Sequence, residues 1–266
     1  MSKGVSFKKF TDDIPNEDSF SCGPHFIAIS DGAGGCGLFA DKWSRYLVDN
    51  LDPKTPISSY EELDEWVGQI WERFFNRYET EAKKNDGIFQ SKFYAEGSCA
   101  TLAAAWLVDK HICKWMAYGD SVIFHFNRKT QELEHSFTKL KDFSNPPFLI
   151  SCKDPIPREG FRNGTFAITP ESVVFACSDA LSHFVLMMYM ICHKDIFSDE
   201  IKSIEKGHSS DSSMLGVAMS WKEPNFNDFI TLLEQVVQSQ SDFERFMREL
   251  NSFGLIDIDD YTLVVL

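Results

Sequence analysis

The stretch HFIAISDGAGGCG, residues 25–37, runs an apolar strand, His25–Ser30, straight into Asp31 and then into Gly32-Ala33-Gly34-Gly35-Cys36-Gly37. The glycines spell G-x-G-x-x-G, the phosphate-cradling turn of a dinucleotide fold. That fold requires a strand, this turn, a helix, and a second parallel strand ending in an acid ~20 residues on. Here the apolar spacing of residues 38–50 (Leu38, Phe39, Trp43, Tyr46, Leu47) predicts a helix, followed by a Pro-containing loop and a further helix rather than a strand. Asp31 would also set a carboxylate against a pyrophosphate. The dinucleotide reading is therefore disfavoured. What remains is either a ligand-free, Gly-rich strand-to-helix turn or a strand end whose carboxylate has a task of its own.

Outward from this stretch, short segments rich in β-branched and aromatic residues predict strands at Ala100–Val108, Ile112–Tyr118, Val122–Asn127, Thr165–Thr169, Ser172–Cys177 and Tyr261–Leu266. Asn163-Gly164 between Phe161-Arg162 and Thr165-Phe166 predicts a type I′ hairpin turn. The same residues form an N-x-T sequon, but the turn reading is preferred. Ser59 with Glu62 makes a capping box ahead of Leu63, Trp66, Val67, Ile70, Trp71, Phe74 and Phe75, one apolar face of a long helix. Ser241 with Glu244 predicts a second capped helix over Phe243, Phe246, Met247 and Leu250, and the same periodicity predicts a third at Asp228–Gln238. Blocks of short strands and long helices imply an α+β chain with antiparallel sheets. Residues 139–162, holding Pro146, Pro147, Pro155 and Pro157, read as a loop or flap in what is otherwise a single domain over 1–266, without repeats or a linker.

The chain has 266 residues, 43% of them hydrophobic, with 24 Phe, enough for a substantial core. The 26 Lys and Arg stand against 40 Asp and Glu, a net charge of −14, which argues against nucleic acid or an anionic membrane as partner. Its longest apolar runs fall short of the ~20 residues of a bilayer span. The start MSKGVSFKKF lacks the apolar core of a secretory signal, and the seven cysteines form no C-x-x-C pair. A cytoplasmic, reducing location is expected.

Cys152–Arg158 satisfies C-x5-R, the spacing of a cysteine phosphatase loop. Such a loop binds phosphate through consecutive backbone N–H groups, which Pro155 and Pro157 cannot supply, and Asp154 would repel the anion. More informative is a set of acids at strand ends and turns: Glu17-Asp18 before Ser19, Asp31 after the first apolar strand, Asp120 between two strands, Asp179 after SVVFACS, and Asp259-Asp260 before the terminal strand. Singly, each is most simply a solvated turn residue. Together they are hard oxygen donors suited to Mg2+ or Mn2+ rather than zinc.

The motifs NED at 16–18, SDGAGG at 30–35, GSCAT at 97–101, GDS at 119–121, CSDAL at 177–181 and DDYT at 259–262 resemble, in order and spacing, the motif series of the PPM (protein phosphatase 2C) family of metal-dependent serine/threonine phosphatases. The resemblance spans nearly the whole chain. It implies a four-layer α-β-β-α sandwich, with two central antiparallel sheets flanked by helices and a two-metal centre at one edge. It also implies that Asp31 bridges two Mn2+ or Mg2+ ions, that the Gly32 carbonyl binds one, and that Asp179 and Asp259 complete the other's shell, Asp259 being preferred to Asp260. Glu17 and Asp18 would act through water, and Asp120 would support a third, weaker metal. Gly97, Ser98 and Thr101 would shape a turn. The implied activity is hydrolysis of phosphoserine or phosphothreonine in protein substrates by a water bridging the two metals, with Asp31 and Asp179 as the catalytic pair. Paired divalent ions can make hydroxide near neutral pH and clamp phosphoryl oxygens, so no protein nucleophile is required.

Departures from the family pattern are as informative. Asp13 stands where members usually carry a phosphate-binding Arg, and Lys8, Lys9, Lys153 and Arg158 are candidate replacements. Ala180 replaces a usual Gly. His25 and His183 lie near the motifs in sequence, but neither is assigned as leaving-group acid. The alternative reading, motivated by Asp13, is a catalytically impaired member that binds a phosphoprotein or kinase as a regulatory module. The acidic composition predicts a preference for basic or neutral phosphopeptides. Substrate and oligomeric state are not encoded in any motif.

Overall fold

The computed structural model describes residues 2–10, 14–85, 87–207, 210–220 and 225–266. Its strands are β1 (Lys3–Phe7), β2 (Ser19–Gly23), β3 (Phe26–Ser30), β4 (Gly32–Gly37), β5 (Ser98–Ala100), β6 (Leu102–Asp109), β7 (Ile112–Tyr118), β8 (Val122–Asn127), β9 (Glu132–His135), β10 (Ile150–Ser151), β11 (Phe161–Ala167), β12 (Ser172–Cys177) and β13 (Tyr261–Val265). The helices are α1 (Ala40–Asn50), α2 (Tyr60–Lys84), α3 (Gly87–Glu96), α4 (Asp179–Cys192), α5 (Ser198–Lys206), α6 (Ser210–Ser220), α7 (Phe226–Val236) and α8 (Gln240–Ser252).

Strand side chains alternate between faces, so an unbroken apolar strand must be buried on both. In β3, Ile27 and Ile29 face an inner core shared with Ala103, Ala105, Val174, Ala176 and Val264. Phe26 and Ala28 face the opposite way, into a second core with Trp43, Leu47, Leu63 and Phe74 of α1 and α2. In β12, Val174 and Ala176 point inward while Val173, Phe175 and Cys177 pack against Leu181, Phe184, Phe229 and Phe246 of the later helices. Two five-stranded antiparallel sheets, ordered β1-β13-β12-β8-β9 and β11-β7-β6-β3-β2, thus face each other with helices outside each. This is the expected four-layer α-β-β-α sandwich. A third sheet, β10-β5-β4, has three strands and carries the glycine-rich segment.

Several local expectations are corrected. Asn163-Gly164 is not a turn: β11 runs through it, with Asn163 opposite Met116 and Gly164 opposite Trp115 of β7. A Cβ at Gly164 would sit 2.5 Å from Trp115 Cζ2, so the glycine is there to admit the indole and not to reverse the chain. The helix expected from Ser241 is capped two residues earlier, where the Ser239 hydroxyl accepts from the Asp242 N–H at 3.4 Å. The Ser59 cap stands, its hydroxyl accepting from the Glu62 N–H at 3.2 Å, while Glu62 reaches back to the Ser58 N–H at 2.6 Å. The strand expected over Ala100–Val108 breaks at Thr101, and Gly32–Gly37 is an extended strand instead of a strand-to-helix turn. Within 139–162 there are short elements: single helical turns at Leu140–Ser144 and Arg158–Gly160, and β10.

Candidate metal centre

Asp31 ends β3 and is held at both backbone groups by Thr101. Its N–H donates to Thr101 Oγ1 at 3.0 Å, and its carbonyl accepts from the Thr101 N–H at 2.8 Å. The break between β5 and β6 is what frees Thr101 for this. Next to Asp31, the Gly32 N–H donates to the Glu17 carbonyl at 3.1 Å. A Cβ at Gly32 would lie 2.7 Å from the Ala40 carbonyl oxygen and 2.8 Å from that of Glu17, so the strap carrying Glu17 and Asp18 fits against β4 because this residue has no side chain.

Asp179 is the first residue of α4, where the helix dipole favours a carboxylate. The Ala180 N–H donates to its Oδ1 at 2.5 Å, so the missing glycine at 180 changes little. Ser178 ties this helix start to β13, its hydroxyl accepting from the Thr262 N–H at 2.9 Å. Asp259 precedes β13 and accepts from the Asp260 N–H at 2.8 Å. Asp120 follows Gly119 between β7 and β8, and the Arg162 guanidinium donates to the Gly119 carbonyl.

Glu17, Asp31, Gly32, Asp120, Asp179 and Asp259 all line one cavity of about 490 Å³, with Thr101, Lys9 and the 143–149 stretch of the expected flap, including Phe143, Asn145 and Leu149. Asp18 is not on that wall. It is buried behind it, accepting from Thr262 Oγ1 at 2.7 Å through Oδ2, while its Oδ1 has no hydrogen-bond partner. Asp120 Oδ1 is orphaned in the same way. Burial, followed by repulsion from Asp18, Asp179, Asp120 and Asp259, drives the Asp31 carboxyl well above the usual range. Asp179 is raised likewise by burial, then by Asp120, Asp259 and Asp18. Burial also pushes Asp18 up to about 7 and Asp120 up to about 6. Crowded carboxylates with orphaned oxygens fit a divalent cation. Among the described residues no three His, Cys, Asp or Glu side chains are drawn together closely enough to hold a metal ion by themselves. A hard ion such as Mg2+ usually keeps several waters and takes one or two carboxylates.

Asp260, set aside in favour of Asp259, has a different task. Its buried carboxylate accepts from the backbone N–H of Lys9 at 2.6 Å and of Glu17 at 2.7 Å. No local signal marks this, because both partners lie more than 240 positions away in sequence.

The remaining candidates fall elsewhere. His25 lines a separate apolar groove with Pro24, Phe26 and Trp106. His183 lines an adjoining cavity of about 190 Å³ with Asp179, Asp211, Asp257 and Asp259, its Nε2 3.3 Å from Asp211 Oδ1. Cys152 is buried, and its sulfur accepts from the Ser98 N–H at 3.2 Å. Arg158 is exposed, paired with Glu61 and stacked on Tyr60, so C-x5-R forms no loop around an anion. Asp13 lies outside the described residues.

The sequence matches no family model and no curated protein. Solved structures are similar throughout its length. The catalytic domain of the serine/threonine protein phosphatase PstP, in complex with 2 manganese ions, has a TM-score of 0.55 at 16% identity, covering 100% of this chain and 96% of that one. PppA, described as a key regulatory component of T6SS in Pseudomonas aeruginosa, has 0.54 at 17%, covering 100% and 96%. The serine/threonine phosphatase Stp1 from Staphylococcus aureus has 0.53 at 12%, covering 99% and 93%. The two facing sheets, their helical layers and their connectivity are those of the PPM-type serine/threonine phosphatases, and this chain carries their fold.

Proposed function

We propose that this protein is a metal-dependent phosphatase acting on phosphoserine or phosphothreonine in protein substrates. The observation that carries the reading is the convergence of Glu17, Asp31, Asp120, Asp179 and Asp259, from five separate segments, on one cavity of this fold. Asp31, Asp179, Asp259 and the Gly32 carbonyl would hold two Mn2+ or Mg2+ ions. Glu17 and Asp18 would act through water, and Asp120 would support a further, weaker ion. A bound pair of such ions supplies a water of lowered pKa and a clamp for phosphoryl oxygens. The chain's own contribution is placement. Thr101 fixes the Asp31 backbone at both ends, the start of α4 fixes Asp179, and the 143–149 stretch lines the cavity.

The test is hydrolysis of a phosphothreonine peptide by the purified chain with Mn2+, with Mg2+ and with excess EDTA, beside Asp179→Asn. Turnover that requires metal and is lost in the variant supports the assignment. Full activity in Asp179→Asn refutes it. The binding-module alternative rests on Asp13, and no observation among the described residues favours it.

A further inference from the structure

Five carboxylates wall the cavity, and among the described residues Lys9 is the only cation on that wall. A phosphomonoester carries a charge of about −1.5 to −2 near neutral pH, and its outward oxygens need donors that the acids do not provide. Lys8, Lys153 and Arg158, the other cations considered from the sequence, are not on its wall, and neither is the nearby Arg162. Lys153 pairs with Asp154 at 2.9 Å, Arg158 is bound to Glu61 on the surface, and Arg162 lies behind Asp120 on the Gly119 carbonyl.

Lys9 is mounted rather than loose. Its N–H is clamped by Asp260 Oδ1 at 2.6 Å, and the other oxygen of that carboxylate holds the Glu17 N–H at 2.7 Å. The next residue, Phe10, packs on Phe7 and Tyr261. Lys9 Nζ lies 3.0 Å from Glu17 Oε2, and its side chain keeps 20% of its surface open. An ammonium has three donors, and the Glu17 bond uses one.

We infer that Lys9 is the phosphate-contacting residue of this site, its ammonium donating to a non-bridging oxygen of the substrate phosphoryl group and of product phosphate. The inference rests on the phosphatase reading and adds a residue to it. Asp260 is then a positioning residue, acting through the Lys9 backbone. Lysine gives a point charge where arginine would give a two-pronged contact, so a single oxygen is engaged.

The test compares the Mn2+-loaded parent chain with Lys9→Met and Lys9→Arg. It measures initial rates on a phosphothreonine peptide, competitive inhibition by inorganic phosphate, and the Mn2+ midpoint in a thermal-shift titration. Lys9→Met should raise KM and the phosphate inhibition constant together, by roughly ten- to a hundredfold, the size of one hydrogen bond to a charged group. Its kcat should stay within about threefold and its Mn2+ midpoint should not move, while Lys9→Arg should recover most of the loss. Unchanged KM and inhibition constants in Lys9→Met overturn the inference. So does a weakened Mn2+ midpoint that accounts for the whole effect, because Lys9 would then be only a tether for Glu17. If the metal-loaded parent turns over no phosphoester, the phosphatase reading fails separately, and calorimetry with inorganic phosphate decides the role of Lys9. Binding lost in Lys9→Met supports the contact, and no binding to the parent overturns it.

Discussion

Stripping divalent cations and varying pH should expose the strain held in the acid cluster. Asp18 and Asp120 are only 4% and 8% exposed, and their carboxyls are raised from 3.8 to about 7 and about 6. At pH 8 both are ionised in the folded and unfolded chains, and the folded state bears the penalty. As pH falls through 7 and then 6, the folded state takes up protons while the unfolded state remains ionised until near 3.8. The folded state therefore binds more protons across this window, and stability must rise on acidification. For Asp120 alone, the distance from 3.8 to about 6 corresponds to on the order of 3 kcal/mol. About one pKa unit of it, roughly 1.4 kcal/mol, is regained between pH 8 and pH 5, or roughly 3–6 °C in melting temperature for a chain of this size.

The assay is thermal unfolding in EDTA and in excess Mg2+ or Mn2+ between pH 8 and 5. The EDTA curve should climb as pH falls, and the gap between metal and EDTA should be widest at pH 8 and close toward pH 5. General relief of the −14 net charge would also favour acidification, and Asp120→Asn separates the two causes. That change leaves the overall charge almost as it was, yet it should raise the pH 8 melting temperature in EDTA and flatten the slope. An Asp120→Asn chain that melts with or below the parent in EDTA at pH 8, with the parent's slope, would refute the reasoning.

Other substitutions probe the supports of the site. Asp260→Ala strands the buried N–H groups of Lys9 and Glu17 and should lose about 3 kcal/mol or more by urea unfolding in EDTA, at ~1.5–3 kcal/mol for each charge-assisted hydrogen bond. Thr101→Val keeps the shape but leaves the Asp31 N–H without its acceptor and breaks the 2.7 Å contact with Ser121. It should weaken Mn2+ binding by roughly tenfold, read by thermal-shift titration, with about 1–3 kcal/mol lost in stability. Gly164→Ala drives a methyl into Trp115, at 2.5 Å from Cζ2. It should destabilise the chain by about 1–3 kcal/mol and alter Trp fluorescence while leaving Mn2+ affinity unchanged, and an equally stable variant would return the hairpin reading to contention.

The parts of the structure written in local sequence were readable. An unbroken apolar strand ending in Asp, as at FIAIS-Asp31 or VVFACS-Asp179, places a carboxylate at a sheet edge whatever the rest of the chain does. Burial of β3 and β12 on both faces, with alternate residues entering different cores, follows from composition once two facing sheets exist. Features decided by a distant partner were not readable. Asn-Gly is the same dipeptide in a type I′ turn and under an indole, and only the pairing of β11 with β7 tells them apart. Asp259 and Asp260 look equivalent as neighbours, yet one opens on the cavity and the other grips residues 9 and 17. Helix α3 has no apolar stripe to announce it, with Phe93 buried while Ile88, Phe89 and Tyr94 are exposed.

The electrostatics and the topology explain one another. A chain of net charge −14 would not gather five carboxylates in one cavity unless backbone geometry compelled it. Asp31 lies at the end of one large sheet, Asp259 at the start of the terminal strand of the facing sheet, Asp120 on the turn between the two sheets, and Asp179 at the first turn of the helix behind. Because Thr101, Thr262 and Asp260 hold these segments through backbone and side-chain hydrogen bonds, the acids cannot relax apart to relieve their repulsion. On the proposed reading, a cation entering the cavity would recover that stored repulsion, so the same packing that destabilises the bare chain at pH 8 would favour divalent metal. Such a cavity would still repel a phosphate that met only carboxylates. A cation fixed on its wall by a buried clamp is what the arrangement needs, and Lys9 occupies that place.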